Sequence, residues 1–287
     1  MIEENEPARP PICLVVLGMH RSGTSALAGL LRLLGAQLPA SLMDPHESNA
    51  RGFFESTRIR DFNDLVLSEA GSSWRSLVVP DREWLECPGT EALRMRAAEV
   101  VRAEFGDAPL IVLKDPRICR LMPFWRIVLS RMGYTLVCLH THRNPLDVIA
   151  SLQRRYAMEP DLVLKLWLQH QLLAESSSRG LVRYFTSFDR IVRSRGALHD
   201  FVATACGLPS PEEAEEKSAE FLSADLINHF AGKDDAFVAG ALPEAARTAF
   251  SVFETWADQG ERSEERKTLD LLQSSLMRDG WNVRSKD

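Results

Sequence analysis

The chain has 287 residues, 45% of them apolar and 26% charged, with a net charge of −6 and a pI near 5.7. This is the balance of a folded domain with a large core, and it argues against a nucleic-acid binder with a globally basic surface. A local basic pocket stays compatible with it.

The opening MIEENEPARPP is polar and acidic, and it reads as no secretory signal. No apolar run approaches the roughly 20 residues that span a bilayer. Cys13, Cys87, Cys119, Cys138 and Cys206 are scattered, with no CxxC pair, so free thiols in a reducing compartment are expected. The expected location is cytoplasmic, although an acceptor held at a membrane surface is compatible with that.

In chain order, 12–17 (ICLVVL) is a short β-branched run that predicts a buried strand. A turn follows over Gly18–Ser25, then an apolar helix over 26–35 that ends in glycine. Residues 36–90 are irregular, with an amphipathic stretch at 57–69. Phe53, Phe54, Trp74 and Trp84 need burial, so the segment reads as an active-site insertion. A helix is predicted over 91–105, a second strand over 110–113, a helix over 118–132, a third strand over 134–140, and helices over 145–157 and 161–178. A fourth strand at 182–186 and a helix over 188–206 complete the alternation. From 211 to 278 the pattern turns polar and helical. Strand–turn–helix alternation predicts an α/β fold, a three-layer sandwich whose central, mostly parallel sheet is flanked by helices. The expected organisation is one domain over 1–287, with an α/β nucleotide-binding core at 12–207, the insertion at 36–90 and a helical extension at 208–287. Sheets of this kind bind ligands beyond the carboxyl ends of their strands.

Two segments at such ends suit anions. In Gly18–Ser25 (GMHRSGTS), a turn enters a helix N-terminus, where backbone N–H groups and the helix dipole favour negative charge. Gly23 supplies conformational freedom, and Ser22, Thr24 and Ser25 supply hydroxyls. The G-x4-G spacing is that of a nucleotide phosphate loop, but Thr24 stands where an ATP or GTP enzyme carries lysine. The cation here is Arg21. The second segment, Arg143 to Ser151 (RNPLDVIAS), follows strand three. Helix capping accounts for Asn144, Pro145 and Asp147. It does not account for Arg143 or Ser151, a guanidinium and a hydroxyl suited to a phosphate.

Together the two segments resemble the PAPS-dependent sulfotransferase family, bacterial type, with a P-loop-like fold. That family joins a 5'-phosphosulfate loop similar to Arg21-Ser22-Gly23-Thr24-Ser25 with a 3'-phosphate motif R-N-P-x-D-x-x-x-S. Arg143, Asn144, Pro145, Asp147 and Ser151 match the second motif, and the likeness covers roughly 12–190. Arginine in the loop, in place of the lysine of cytosolic small-molecule enzymes, is closer to bacterial carbohydrate or lipid enzymes and to tyrosylprotein enzymes.

The resemblance implies transfer of a sulfuryl group from 3'-phosphoadenosine-5'-phosphosulfate (PAPS) to a hydroxyl or amine, leaving adenosine 3',5'-bisphosphate. The acceptor would be a carbohydrate, lipid-linked sugar or small metabolite, and no metal is required. Arg21 and the loop through Ser25 would hold the 5' end, Arg143 and Ser151 the 3'-phosphate. Arg21 and Lys114 are the candidates for stabilising the leaving group. Glu55 is the first candidate for general base, flanked by phenylalanines that would desolvate it. A surface glutamate at a helix start explains Glu55 equally. His20 comes next, with Glu47, His46 and Asp115 behind and His142 beside the second motif. Asp115 has an alternative role as partner of Arg117 or Lys114. Lys165 and His170, near Trp167, are acceptor-pocket candidates, whereas Trp125, Trp167, Trp256 and Trp281 read as core. Two other readings stay open: a P-loop kinase or NTPase, with Asp115 as metal ligand, and an inactive nucleotide-binding scaffold.

Overall fold

A computed structural model describes residues 9–45, 52–208, 212–222 and 242–278. Four strands, β1 Ile12–Leu17, β2 Leu110–Lys114, β3 Thr135–His142 and β4 Val182–Ser187, form one sheet in the order β2-β1-β3-β4, every pairing parallel. Around it run α1 Thr24–Leu33, α2 Thr57–Glu69, α3 Arg82–Glu86, α4 Glu91–Phe105, α5 Ile118–Arg131, α6 Pro145–Tyr156 and α7 Pro160–Ser178. They are followed by α8 Phe188–Arg193, α9 Gly196–Cys206, α10 Glu212–Phe221, α11 Glu244–Gln259 and α12 Arg266–Arg278. This is the expected α/β architecture, helices covering both faces of a parallel sheet.

The period-2 geometry of β1 divides its side chains between two cores. Cys13, Val15 and Leu17 pack with α2, α4 and α5. Leu14 and Val16 face the opposite layer, with α1, α8 and α9. A third cluster joins α6, α7, α11 and Phe185 of β4. The 57–69 stretch is therefore a core element, contributing Ile59, Phe62, Val66 and Leu67. Trp125, Trp167 and Trp256 are fully buried, and Cys13, Cys119, Cys138 and Cys206 are buried free thiols.

Of the boundaries that differ from the sequence reading, two have a plain physical cause. Strand β3 runs to His142, because Thr141 and His142 pair with Thr186 and Ser187 of β4. The helix expected over 188–206 is two helices, since Ser194 takes an extended conformation (φ −154°, ψ 97°) ahead of Gly196, a poor helix former. Trp281, His46 and Glu47 lie outside the described residues.

Close strand packing leaves no room for a side chain at residue 18. A Cβ there would lie 2.4 Å from the Thr141 carbonyl oxygen, a backbone atom fixed by the sheet. Gly18→Ala is expected to destabilise the fold by about 1–3 kcal/mol, the usual penalty of overpacking, seen as a lower urea midpoint at unchanged slope.

Candidate active site

Register puts the three sequence-predicted segments at one edge of the sheet. Val16 pairs with Lys114 and Leu17 with His140. The 18–23 turn, the end of β2 and the end of β3 therefore emerge side by side.

The turn is anchored to its neighbours. Gly18 N–H donates to Cys119 Sγ (3.1 Å), Ser22 N–H to the Met19 carbonyl (3.2 Å), and Thr141 Oγ1 to the Ser22 carbonyl (3.0 Å). Gly23 (φ 87°) begins α1 and gives it no side-chain cap, and the first turn carries no acid. Its missing Cβ would come within 2.8 Å of Phe188 Cδ2. Ser22 is fully buried, and its Oγ has no partner among the described residues. Arg21 adopts a left-handed conformation (φ 69°), which a non-glycine residue holds only at a strain of about 1–2 kcal/mol. Its guanidinium Nε donates to Ser151 Oγ at 2.9 Å. The two anion motifs, read as separate pockets in the sequence, thus touch.

In the second motif Asn144 caps α6, its side chain accepting from Leu146 N–H at 3.0 Å. Arg143 lies over the Phe188 ring (4.7 Å) and donates through Nε to Asp147 (3.2 Å), while its carbonyl accepts from the Trp167 indole (3.2 Å). Phe188 therefore bridges the motifs, filling the space beside Gly23 and bracing Arg143. Burial, then the neighbouring Arg155 and Arg143, push the Arg21 pKa down. A surplus of positive charge collects here within a chain of net charge −6.

Lys114, buried, donates to Ser25 Oγ (3.2 Å), to the Phe53 carbonyl (3.0 Å) and to Glu55 Oε1 in a short contact. Glu55 is buried rather than a surface helix-start residue, and the cap of α2 is its neighbour Ser56. The turn that delivers Glu55 is strained at Phe54 (φ 54°) and fixed by Met43 N–H donating to the Glu55 carbonyl (2.8 Å). Burial raises the Glu55 pKa above the ordinary carboxylate value, and Lys114 partly pulls it back.

The remaining candidates have other occupations. Asp115 accepts from Arg117 N–H (2.8 Å) and its guanidinium (3.2 Å). Burial lowers the Arg117 pKa, but Asp115 and Asp64 outweigh it and raise the value. His142 is buried and bonded to Glu254 of α11 (2.7 Å). Lys165 is exposed and pairs with Asp161. His20 packs its ring on Trp74 (4.8 Å) and near His170 (6.0 Å). Its Nδ1 has no partner among the described residues. Burial, then Arg117 and His170, hold its pKa well below the usual imidazole value, so it is neutral. His170 is fully buried, its pKa pushed down to about 3 by burial and then by Arg120.

The sequence reading missed Phe188, Trp74, Arg155 and Tyr156. Arg155 carried a usable signal, since it follows Ser151 by four residues and so shares a helix face with it.

No family model and no curated protein matches the chain. Among solved structures it is similar to the sulfotransferase domain of the Synechococcus PCC 7002 olefin synthase, at 19% identity, 88% of this chain, 97% of that chain and TM-score 0.45. It is also similar to the sulfotransferase domain of the curacin biosynthetic pathway, at 13% identity, 96% of this chain, 99% of that one and TM-score 0.41. A third is retinol dehydratase in complex with androsterone and inactive cofactor PAP, at 16% identity, 98% of this chain, 84% of that one and TM-score 0.35.

A buried ion pair makes a sharp stability prediction. Lys114→Met leaves Glu55 buried beside no counter-charge and is expected to destabilise by about 3–5 kcal/mol in urea unfolding. Adding Glu55→Gln to Lys114→Met should recover part of that loss, because the stranded charge is then gone. A double variant as unstable as the sum of the two single variants would contradict the pairing.

Proposed function

We propose that the chain is a sulfotransferase that uses PAPS to sulfate a hydroxyl or amine acceptor. The observation carrying this reading is the Arg21 Nε to Ser151 Oγ contact of 2.9 Å, which joins the two motifs into one cationic site. A nucleotide with charged groups at both its 3' and 5' positions suits such a site better than one charged at the 5' end alone.

The donor set fits this co-substrate. Arg143 and Ser151 would hold the 3'-phosphate, the planar guanidinium of Arg143 lying over the Phe188 ring. Arg21, Gly23, Thr24, Ser25 and the uncapped start of α1 would hold the 5' end. Ser22 Oγ, buried and unpartnered, is a donor that such an oxygen would satisfy. PAPS supplies the activated sulfuryl group. Glu55 takes the proton from the acceptor, working in its ionised form. Arg21 and Lys114 face the negative charge that develops on the leaving oxygen and stabilise it there more than in the ground state. Phe53, Phe54 and Phe188 keep water from the reacting groups. His20, neutral and weakly basic, serves packing better than proton transfer.

A kinase or NTPase would need a lysine at position 24 and a free Asp115, whereas Thr24 stands at the first and Arg117 occupies the second. No described helix is long and apolar enough to cross a membrane. We place the enzyme in the cytoplasm, acting on a carbohydrate, lipid-linked sugar or small metabolite.

Arg143→Ala is expected to weaken adenosine 3',5'-bisphosphate binding by roughly 2–5 kcal/mol in calorimetry. Near-normal affinity would reject the assignment. Arg21→Gly relieves the left-handed strain, so it should fold with a stability close to that of the parent and yet bind the same nucleotide far more weakly. Intact binding would remove Arg21 from the site.

The raised pKa of Glu55 fixes the sign of the pH dependence. Turnover should fall on acidification at a pH above the ordinary glutamate value of about 4.3, and Glu55→Gln should lose both turnover and that limb. For stability the folded chain binds this proton more tightly than the unfolded one. That contribution is present below about pH 4.3 and is lost as pH rises through the raised value. Undiminished turnover in Glu55→Gln would exclude it as base.

A further inference from the structure

Six side chains form a continuous line of contacts, and the nucleotide assignment uses none of them. It begins at Phe53, whose carbonyl accepts from Lys114 Nζ (3.0 Å) and Ser25 Oγ (3.2 Å). Arg155 lies over the Phe53 ring (5.0 Å) and over Tyr156 (5.0 Å). Arg75 lies over Tyr156 (4.9 Å) and over Trp74 (4.5 Å). Trp74 in turn covers His20 at 4.8 Å, the residue preceding Arg21. Both ends of this line of contacts are thus attached to groups that the proposed mechanism uses, which places it beside them.

Aromatic rings alternating with guanidinium groups constrain what binds there. The rings offer flat apolar faces to a sugar or aromatic ring. Stacking uses the faces of a guanidinium and leaves its N–H edge to a carboxylate, phosphate or sulfate. Arg75 is exposed, and no carboxylate among the described residues pairs with it. Three acids of the site are engaged by other cations, Glu55 by Lys114 and both Asp64 and Asp115 by Arg117. A neutral acceptor would need the rings alone. The unmatched guanidinium in an acidic chain is what a second negative group would answer.

We propose, resting on the sulfotransferase reading, that the acceptor carries an anionic group beside a flat ring, and that Arg75, lying over both Trp74 and Tyr156, determines this specificity. Arg75 is a binding residue for the acceptor's charge, distant in role from proton transfer and from the nucleotide phosphates.

The test is calorimetric titration of the full chain, with and without saturating adenosine 3',5'-bisphosphate, at low salt. The probes are 4-hydroxyphenylacetate and its neutral methyl ester. The anionic probe should bind about five- to tenfold more tightly than the ester. In Arg75→Ala that preference should fall to within about twofold, with nucleotide affinity unchanged. Equal binding of the probes, binding of neither, or a preference that survives Arg75→Ala overturns the inference. Failure to bind the nucleotide sinks the sulfotransferase reading instead, and the nucleotide-free titration then still decides whether this line of contacts selects an anion.

Discussion

The pairing of β1 with β2 and β3, with Val16 opposite Lys114 and Leu17 opposite His140, is the constraint on which the site depends. Parallel strands release their following turns at the same end of the sheet. Here those turns bring Arg21, Lys114 and Arg143 together from positions 122 residues apart in the sequence at the extremes. Gathering cations in this way is electrostatically unfavourable, and the Arg21 pKa is pushed down by burial first and then by Arg155 and Arg143. The protein offsets the repulsion locally. Glu55 answers Lys114, Asp147 answers Arg143, and Phe188 gives Arg143 an aromatic face. Arg21 donates to the neutral hydroxyl of Ser151, which ties the first turn to the second motif.

Backbone strain falls at the same place. Arg21 and Phe54 are two of the three non-glycine residues with positive φ among those described. Each turn carries or delivers a side chain of the proposed site, at a strain of order 1–3 kcal/mol. The surrounding sheet over-determines both turns, through Thr141 and Cys119 for the first and through Met43 and Lys114 for the second. Elements far from the motifs take part as well. Helix α11, nearly a hundred residues past Ser151, holds His142 through Glu254 and so supports the end of β3.

Much of this was legible in the sequence because it depends on local pattern. The β-branched runs at 12–17 and 110–113 gave the strands and the Asn144-Pro145 pair gave the start of α6, whereas the region near 57–69 read only as an amphipathic stretch where the structure has α2. The anion segments were legible as strand-end turns. What stayed hidden depends on tertiary approach. Glu55 had two equal readings, because only folding shows that the end of β2 arrives beside it. Phe188 reads as an ordinary helix-start phenylalanine, and its bridging role follows from the absence of a Cβ at Gly23. Trp74 and Arg75 lie in an irregular stretch whose partners, Tyr156 and His20, are distant in sequence. The extension of β3 to His142 needs β4 beside it, which no periodicity in β3 itself announces.

The central claim is that one cationic site holds a nucleotide charged at both its 3' and 5' positions, and ligand-induced thermal stabilisation tests it most directly. At about a hundred times its dissociation constant, adenosine 3',5'-bisphosphate should add about 2.7 kcal/mol to the folded state. That corresponds to a rise of several degrees in Tm, with ATP and GTP at equal concentration giving little. Stabilisation by ATP or GTP equal to or above that of adenosine 3',5'-bisphosphate, or no response to the latter, would contradict the account.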